Sequence, residues 1–244
     1  MMKLRSWFAD WRRRRSRSPL VLPSDLNQAI SNQLSRTAPQ DFFFIQVGAY
    51  DGLTNDPVYD YVQQYRWKGI LIEPQVSAFE KLKETYRDHP QLVFINAAIA
   101  EEDGTRDFYT VRSDVQDLPV WGQQIASFDL NHLLKHKYGV PDYGITENIP
   151  NIEELIQVEK VECLRFDTLL DRWNVSQIDL LNVDAEGYDA KIVASLNFKR
   201  LKPAIIHYEH MHLDREERLN CEALLRRQGY YIAHGFADTI AYLE

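Results

Sequence analysis

Two short segments in the second half of the chain concentrate side chains that can transfer protons. VDAEGYD, residues 183–189, places Asp184 and Glu186 directly after an apolar run. HYEHMHL, residues 207–213, carries three histidines and a glutamate around the end of another apolar run. Carboxylates and imidazoles are the common groups of general acid–base catalysis. We expect Asp184 and His210 to be the acid–base residues, because each follows the end of a predicted strand.

Other interpretations of these two segments stay open. Asp184 could instead cap the helix predicted to begin near Glu186. Side chains two residues apart in a strand lie on the same face. His207 and Glu209 should therefore share one face of the strand, and His210 and His212 the other. Only one of these faces should line a site. His207 lies inside an apolar run, which favours a hydrogen-bonded core histidine. Asp184, Glu209 and His210 together would suit an oxygen-rich Mg²⁺ or Mn²⁺ site, although no spacing signature supports a metal.

A further pair of histidines lies in ASFDLNHLLKHKYG, residues 126–139. His132 and His136 are four residues apart and would share one face of a helix. The pair could bind a metal, or it could face a substrate. The segment could also be a solvated amphipathic helix that packs Leu133 and Leu134 inward.

The stretch FFFIQVGAYDG, residues 42–52, runs from an apolar strand into a turn with two glycines. Gly48 and Gly52 would let backbone amides approach a ligand, and Asp51 could accept hydrogen bonds from an amine. About 25 residues later the next apolar run ends at Glu73 in LIEP, where a carboxylate can bind ribose hydroxyls. Loop and acid together indicate a nucleoside-bearing cofactor. GxGxxG and a phosphate-binding Gly-Lys-Ser/Thr are absent from this loop; the alternative is a tight turn with a capping aspartate.

Strands that alternate with helices must position these residues. Apolar runs of strand length occupy residues 42–47, 69–73, 92–99, 178–183 and 204–209, and helical patterns occupy 25–36, 56–66, 77–88 and 213–228. This alternation predicts an α/β fold with a doubly wound, mostly parallel sheet. The last 16 residues read as a terminal antiparallel hairpin around Gly235. Between about 105 and 165 the alternation breaks, which indicates a substrate-binding or lid insertion.

The chain divides into a basic N-terminal tail, residues 1–24, and a domain over 25–244. Residues 1–18 hold seven basic residues and one aspartate, so they carry +6 and the remainder −14 of the net charge of −8. The acidic body argues against a nucleic-acid partner.

Tryptophans beside arginines in residues 1–18 could contact an anionic membrane surface, which flotation of a 1–18 deletion with liposomes would test. Two distant cysteines, Cys163 and Cys221, fit a cytoplasmic location.

The segments VGAYDGLTNDP, LIEP, NAAI, IDLLNVDAEGYD and HYEHMHL together resemble the FkbM-type S-adenosylmethionine-dependent methyltransferases. The resemblance covers nearly all of residues 42–243, with the motifs in the family's order. It implies a seven-stranded class I methyltransferase sheet, Rossmann-like, with the last strand antiparallel. It also implies methyl transfer from S-adenosylmethionine, most often to a hydroxyl of a sugar, glycolipid or polyketide-like acceptor.

The resemblance assigns roles to particular positions. Gly48, Ala49, Asp51 and Gly52 would wrap the methionine end of the cofactor, Glu73 would bind its ribose, and Asn96 with Ala97 would lie against the adenine. Two positions depart from the pattern, since Gln46 replaces a common acid and Tyr50 replaces a frequent asparagine; Tyr50 would cover the cofactor or pack beside it. The insertion also resembles a family segment, which favours His132 or His136 as a residue that reaches the acceptor.

Two other classes of function stay open. A nucleotide-binding oxidoreductase would need a nicotinamide site, and a non-catalytic module would keep the fold and the cofactor pocket without turnover.

Overall fold

The computed structural model describes residues 23–112, 118–139, 149 and 151–244. Nearly all of the predicted basic tail, and with it the predicted membrane contact of residues 1–18, lies outside the described residues. No helix in the described part of the chain is long and apolar enough to cross a bilayer.

A seven-stranded sheet forms the centre of the domain. Its strands are β1 (Phe43–Val47), β2 (Lys68–Ile72), β3 (Leu92–Ile95), β8 (Leu180–Val183), β9 (Ile205–Glu209), β10 (Tyr231–His234) and β11 (Asp238–Tyr242). They lie in the order β10-β11-β9-β8-β1-β2-β3. Strands β1, β2, β3, β8 and β9 are parallel, and β11 runs antiparallel to both β9 and β10. The predicted mostly parallel sheet with a terminal antiparallel hairpin is confirmed.

Eight α-helices are found in the described residues. They are α1 (Leu26–Leu34), α2 (Tyr59–Tyr65), α3 (Val76–Thr85), α4 (Leu130–Lys135), α5 (Ile152–Leu155), α6 (Phe166–Arg172), α7 (Asp189–Ala194) and α8 (Arg215–Arg227). Local capping explains several boundaries: the Asp25 side chain accepts from the Gln28 amide at the start of α1, and Asp214 and Glu217 form a capping box at the start of α8.

The insertion forms a second, four-stranded sheet in the order β4-β7-β5-β6. Its strands are β4 (Ala98–Ile99), β5 (Gly104–Val111), β6 (Ala126–Ser127) and β7 (Ile156–Leu164). Residues 92–99 were expected to form one strand, but the chain leaves the main sheet after Ile95 and enters the second sheet at Ala98. The insertion therefore begins before residue 105.

Burial explains why the central strands are almost continuously apolar. β1, β2 and β8 are covered on both faces, as parallel strands usually are. One apolar cluster lies on each face of the main sheet. The insertion adds a small core of its own, which joins Val111, Ile125, Leu133, Ile149 and Ile152. It is thus a packed substructure that holds α4 against the main domain's carboxyl edge.

Candidate active site

A cavity of about 380 Å³ lies at the carboxyl ends of the parallel strands. Its wall comes from the loops after β1, β2, β8 and β9 on one side and from the second sheet with its following loops on the other. Ligand sites of α/β sheets lie at this edge, and the volume falls in the range of small-molecule pockets. The cavity is therefore the candidate active site.

The glycine turn forms one end of the cavity. Gly48 has φ +76°, and a Cβ there would lie 1.7 Å from the carbonyl oxygen of Asp184. The Gly48 and Ala49 amides both donate to the Ile72 carbonyl, which fixes the turn against β2. Tyr50 also has a positive φ, 44°. Gly48, Ala49 and Tyr50 all line the cavity, where the sequence placed them.

Asp51 and Gly52 shape the turn from outside the cavity wall. The Asp51 carboxylate accepts hydrogen bonds from the amides of Leu53 and Thr54, and from the Thr54 hydroxyl. A Cβ on Gly52 would lie 2.6 Å from the Tyr86 ring. In the structure Asp51 and Gly52 form the loop, and their contact with the cofactor stays a prediction.

Glu73 follows β2 and lines the cavity, as expected for a ribose-binding carboxylate. Its two oxygens accept from the amides of Tyr50 and Gln75, both at 2.8 Å. The two hydrogen bonds lower the pKa of Glu73, but burial has the larger effect and raises it to about 7. The side chain thus ties the glycine turn to β2 at the cavity's edge.

Asn96 and Ala97 lie beyond the cavity wall. The Asn96 side-chain amide donates to the carbonyls of Glu73 and Pro74, at 2.8 and 3.0 Å, and Ala97 is fully buried. The two residues form the connection between β3 of the main sheet and β4 of the second sheet. In the structure Asn96 supports the backbone behind Glu73, and the adenine contact implied by the resemblance stays a prediction.

Gln46, which departs from the family pattern, is buried at the end of β1 and contacts the loop beyond the turn. Its side-chain nitrogen donates to Asp56 at 3.0 Å, while its Oε1 has no hydrogen-bond partner among the described residues. Asp56 also accepts from the amides of Val58 and Tyr59. Both Gln46 and Asp56 line the cavity. Asp56 was not predicted from the sequence, where its only signal is the capping position before α2.

Asp184 leaves the end of β8 and extends into the cavity. Its amide donates to the Val47 carbonyl at 2.9 Å, which places it beside the glycine turn. Its side chain lines the cavity and is exposed within it. Burial, followed by the charges of Glu186 and Asp189, raises the pKa of Asp184 well above its usual value. The capping alternative fails, because the carboxylate that accepts from the loop amides of Ala185 and Gly187 belongs to Asp189.

His210 does not reach the cavity. It is buried, and its Nδ1 lies 2.9 Å from the hydroxyl of Thr239 in the terminal hairpin. The prediction that His210 acts on the acceptor is therefore corrected. The Mg²⁺ or Mn²⁺ site expected from Asp184, Glu209 and His210 fails with it, because His210 is outside the wall that the other two share.

His207 and Glu209 face the cavity together, as the strand geometry predicted. His207 donates through Nδ1 to Asn182 Oδ1 at 2.6 Å, and burial lowers its pKa to about 4. Burial, with the charge of Asp184, raises the pKa of Glu209 to about 11, and its Oε2 lacks a hydrogen-bond partner among the described residues. His207 is thus the hydrogen-bonded histidine that the sequence favoured, but it also borders the cavity.

His212 also lines the cavity, which the alternation of strand faces had excluded. β9 ends at Glu209, and the Leu213 amide donates to the His210 carbonyl in a turn that brings His212 back. His212 Nε2 lies 3.5 Å from Glu186 Oε2, and His132 Nε2 lies 3.1 Å from the same oxygen. Burial alone would raise the pKa of Glu186, but the hydrogen bond with His132 and the other nearby histidines hold it at about 2.

Aromatic side chains of the insertion form the opposite wall. Phe108 and Phe128 pack edge to face, as do Phe128 and Tyr188, with ring centroids 5.1 and 5.2 Å apart. Arg106 lies over the Phe128 ring at 4.1 Å and donates to the Tyr188 hydroxyl, which also bonds Glu101. These contacts attach the second sheet to the loop that carries Asp184.

A seven-stranded sheet in this order, with a glycine turn after β1 and an acid at the end of β2, is the class I methyltransferase fold. The family model for the methyltransferase FkbM domain matches residues 46–242. The chain therefore belongs to the FkbM family of S-adenosylmethionine-dependent methyltransferases.

Several solved structures are similar to this chain at low sequence identity. An FkbM methyltransferase from Methylobacillus flagellatus KT has 11% identity and a TM-score of 0.48, over 84% of this chain and 44% of that one. A precorrin-6y C5,15-methyltransferase from Geobacter metallireducens GS-15 has 9% identity and a TM-score of 0.43, over 93% and 94%. An RNA methyltransferase from Salinibacter ruber, in complex with S-adenosyl-L-homocysteine, has 8% identity and a TM-score of 0.39, over 91% and 92%. No curated protein matches the sequence.

The cavity fits the family's cofactor on its own chemistry. Glu73 offers a carboxylate suited to ribose hydroxyls, and the unpaired Gln46 Oε1 offers an acceptor for an ammonium group. The residues that would hold S-adenosylmethionine are Gly48, Ala49, Tyr50, Glu73 and Gln46.

Proposed function

We propose that this methyltransferase modifies a hydroxyl oxygen of a sugar, glycolipid or related small acceptor. The observation that carries the proposal is the Asp184 carboxylate, which extends into the cavity between the cofactor edge and the insertion. A hydroxyl is a poor nucleophile until its proton is removed, and a carboxylate at this position can remove it. A concave cavity of about 380 Å³ suits a small acceptor.

S-adenosylmethionine, when bound, supplies a methyl group on a sulfonium, and its transfer forms a C–O bond, breaks the C–S bond and leaves that electron pair on sulfur. The chain's own residues hold the partners and move the proton. The glycine turn and Glu73 would bind the cofactor at one end. Asp184 would accept the acceptor's hydroxyl proton, and the aromatic wall of Phe108, Phe128 and Tyr188 would pack against a sugar ring.

The negative charge of the body supports the choice of acceptor class. Residues 19–244 carry the full excess of acidic over basic side chains. Glu186 lines the cavity, and the neighbouring histidines hold its pKa at about 2, so it is ionised there. A polyphosphate such as RNA would be repelled there, whereas a neutral hydroxyl-bearing acceptor would not.

The test is the Asp184→Asn variant in an acceptor screen. We expect production of S-adenosylhomocysteine with a sugar or glycolipid, a loss of turnover of about 10²-fold or more in the variant, and unchanged cofactor affinity, because asparagine keeps the shape but cannot take the proton. Asp88→Asn is the matched control, since the Asp88 side chain is 85% exposed beside Arg87. Methylation of RNA but not of sugars would contradict the acceptor class. Equal turnover in both variants would contradict the role of Asp184.

A further inference from the structure

We propose that His132, His136, Glu186 and His212 form a binding site for one divalent transition-metal ion, with Zn²⁺ as the best match. Each residue offers one ligand atom, and these four atoms all lie within 4.8 Å of one another. Tetrahedral zinc is held by histidine nitrogens at about 2.0–2.1 Å and carboxylate oxygens at about 2.0–2.2 Å.

The site is assembled from three parts of the chain. His132 lies on α4 and His136 directly after it, Glu186 lies in the loop after β8, and His212 lies in the turn after β9. The three imidazole rings form a near-equilateral triangle, with centroids 4.9, 4.9 and 5.2 Å apart. Three of the chain's seven histidines thus converge on one carboxylate from the two halves of the domain.

Hydrogen bonds and backbone shape prepare these side chains. His136 donates through Nδ1 to the His132 carbonyl at 2.8 Å, which fixes the orientation of its ring. Glu186 adopts φ +49°, which is rare for a residue with a side chain. A Cβ on Gly187, at φ +90°, would lie 3.1 Å from His132 Nδ1 and 3.5 Å from His212 Cβ. The loop that carries Glu186 is therefore fitted closely to two of the histidines.

Further carboxyl groups lie near the cluster. Those of Asp184, Glu209 and Asp238 line the same cavity as His136, Glu186 and His212. Glu209 Oε2 lies 3.8 Å from His212 Nε2 and has no hydrogen-bond partner among the described residues.

The ligand set selects the type of ion. Three imidazole nitrogens and one carboxylate suit Zn²⁺ and similar first-row ions, whereas Mg²⁺ and Ca²⁺ prefer oxygen ligands. His136, Glu186 and His212 line the cavity, so the ion would face the acceptor. If the proposed function holds, the ion would bind the acceptor oxygen and lower the pKa of its hydroxyl, whose proton passes to Asp184 without any change of oxidation state.

The test measures metal binding directly, with the full chain and without acceptor. The protein is freed of metal with a chelator and titrated with Zn²⁺ by calorimetry and with Co²⁺ by visible absorption. We expect one equivalent to bind, and His212→Ala and Glu186→Gln each to weaken binding about 100-fold or more. His234→Ala is the matched control, because this histidine is partly exposed on β10 and outside the cluster. Binding of S-adenosylhomocysteine and thermal melting show whether each variant is folded.

Absence of a stoichiometric site in the wild-type protein would overturn the inference, and so would equal Zn²⁺ affinity in the wild-type protein and a folded ligand variant. Displacement of Zn²⁺ by an equal concentration of Mg²⁺ would overturn the choice of ion. Metal binding without methyl transfer to any hydroxyl would contradict the proposed function alone. Methyl transfer by a protein that binds no metal would contradict this inference alone.

Discussion

At Gly48 the loop after β1 passes so close to the end of β8 that a side chain does not fit. The residue needs a left-handed backbone, and its Cα faces the carbonyl oxygen of Asp184. The absence of a Cβ at Gly48 therefore allows the glycine turn to pack directly against the backbone of Asp184. The chemistry at this edge depends on a backbone contact as much as on side chains.

We expect Gly48→Ala to lower the free energy of unfolding by about 3 kcal/mol or more and to abolish binding of S-adenosylhomocysteine, because the new Cβ would force the loop from β8. Gly229→Ala is the matched control, since Gly229 also has a positive φ, +94°, but has no atom within 4 Å of an added Cβ. It should lose only the conformational part, about 1–2 kcal/mol. Chemical denaturation with calorimetry measures both effects. An equal decrease in the free energy of unfolding in the two variants would show that the contact between a Cβ at position 48 and the Asp184 carbonyl does not destabilise the fold.

Glu73 gives the cofactor site a predicted pH dependence. Burial raises its pKa to about 7, and the acids that face it are Asp51, in the turn, and Asp184, across the cavity. Ribose hydroxyls donate to the ionised carboxylate, so binding favours the deprotonated form. Affinity for S-adenosylhomocysteine should therefore rise with pH up to about 7, by at most about tenfold per pH unit, and level off above it.

Calorimetric titration between about pH 5.5 and 8.5 measures this dependence. Glu73→Gln should bind more weakly at high pH and lose the slope near 7, because its side chain no longer titrates. A wild-type affinity that falls as the pH rises, or an identical slope in the variant, would show that Glu73 does not bind the ribose as an anion.

At the scale of elements, the insertion is a folded unit that positions α4. Its small core is separate from the two clusters of the main sheet, and Leu133 lies fully buried within it, next to His132 in sequence. The packing of the insertion therefore decides where the acceptor side of the cavity lies. The cofactor side depends on β1 and β2, which belong to another core.

Leu133→Ala should loosen the insertion and leave the cofactor half intact. Removing a buried leucine costs about 2–5 kcal/mol, here from the local core. We expect faster hydrogen exchange in residues 130–135 and a higher KM for the acceptor, with unchanged affinity for S-adenosylhomocysteine. Leu130→Ala, at a 36% exposed position of the same helix, should change neither quantity. Faster exchange across β1 and β2 as well would show that the two cores unfold as one.

For the whole molecule, local patterns were enough to predict the main sheet. Apolar runs ended at Glu73 and Val183, so the ends of β2 and β8 and the acids beside them could be located from the sequence. The crossing between sheets at Asn96 could not, because residues 92–99 form one apolar run and only tertiary packing divides it. His212 was placed on the wrong face because the turn after Glu209 ends the alternation. The histidine triangle joins residues up to 80 positions apart, a distance that periodicity does not encode.

The strands at the two ends of the insertion lie side by side. β4 enters the second sheet and β7 leaves it, and the two pair in parallel through Ala98 with Cys163 and Ile99 with Leu164. The described residues between these junctions include two small apolar clusters, and they contribute Phe108 and Phe128 of the aromatic wall and two of the histidines. A family member could therefore exchange this whole segment for another of different length without moving the cofactor loop. New acceptors would then arise by replacement of one segment, while the chemistry of the methyl donor stays fixed.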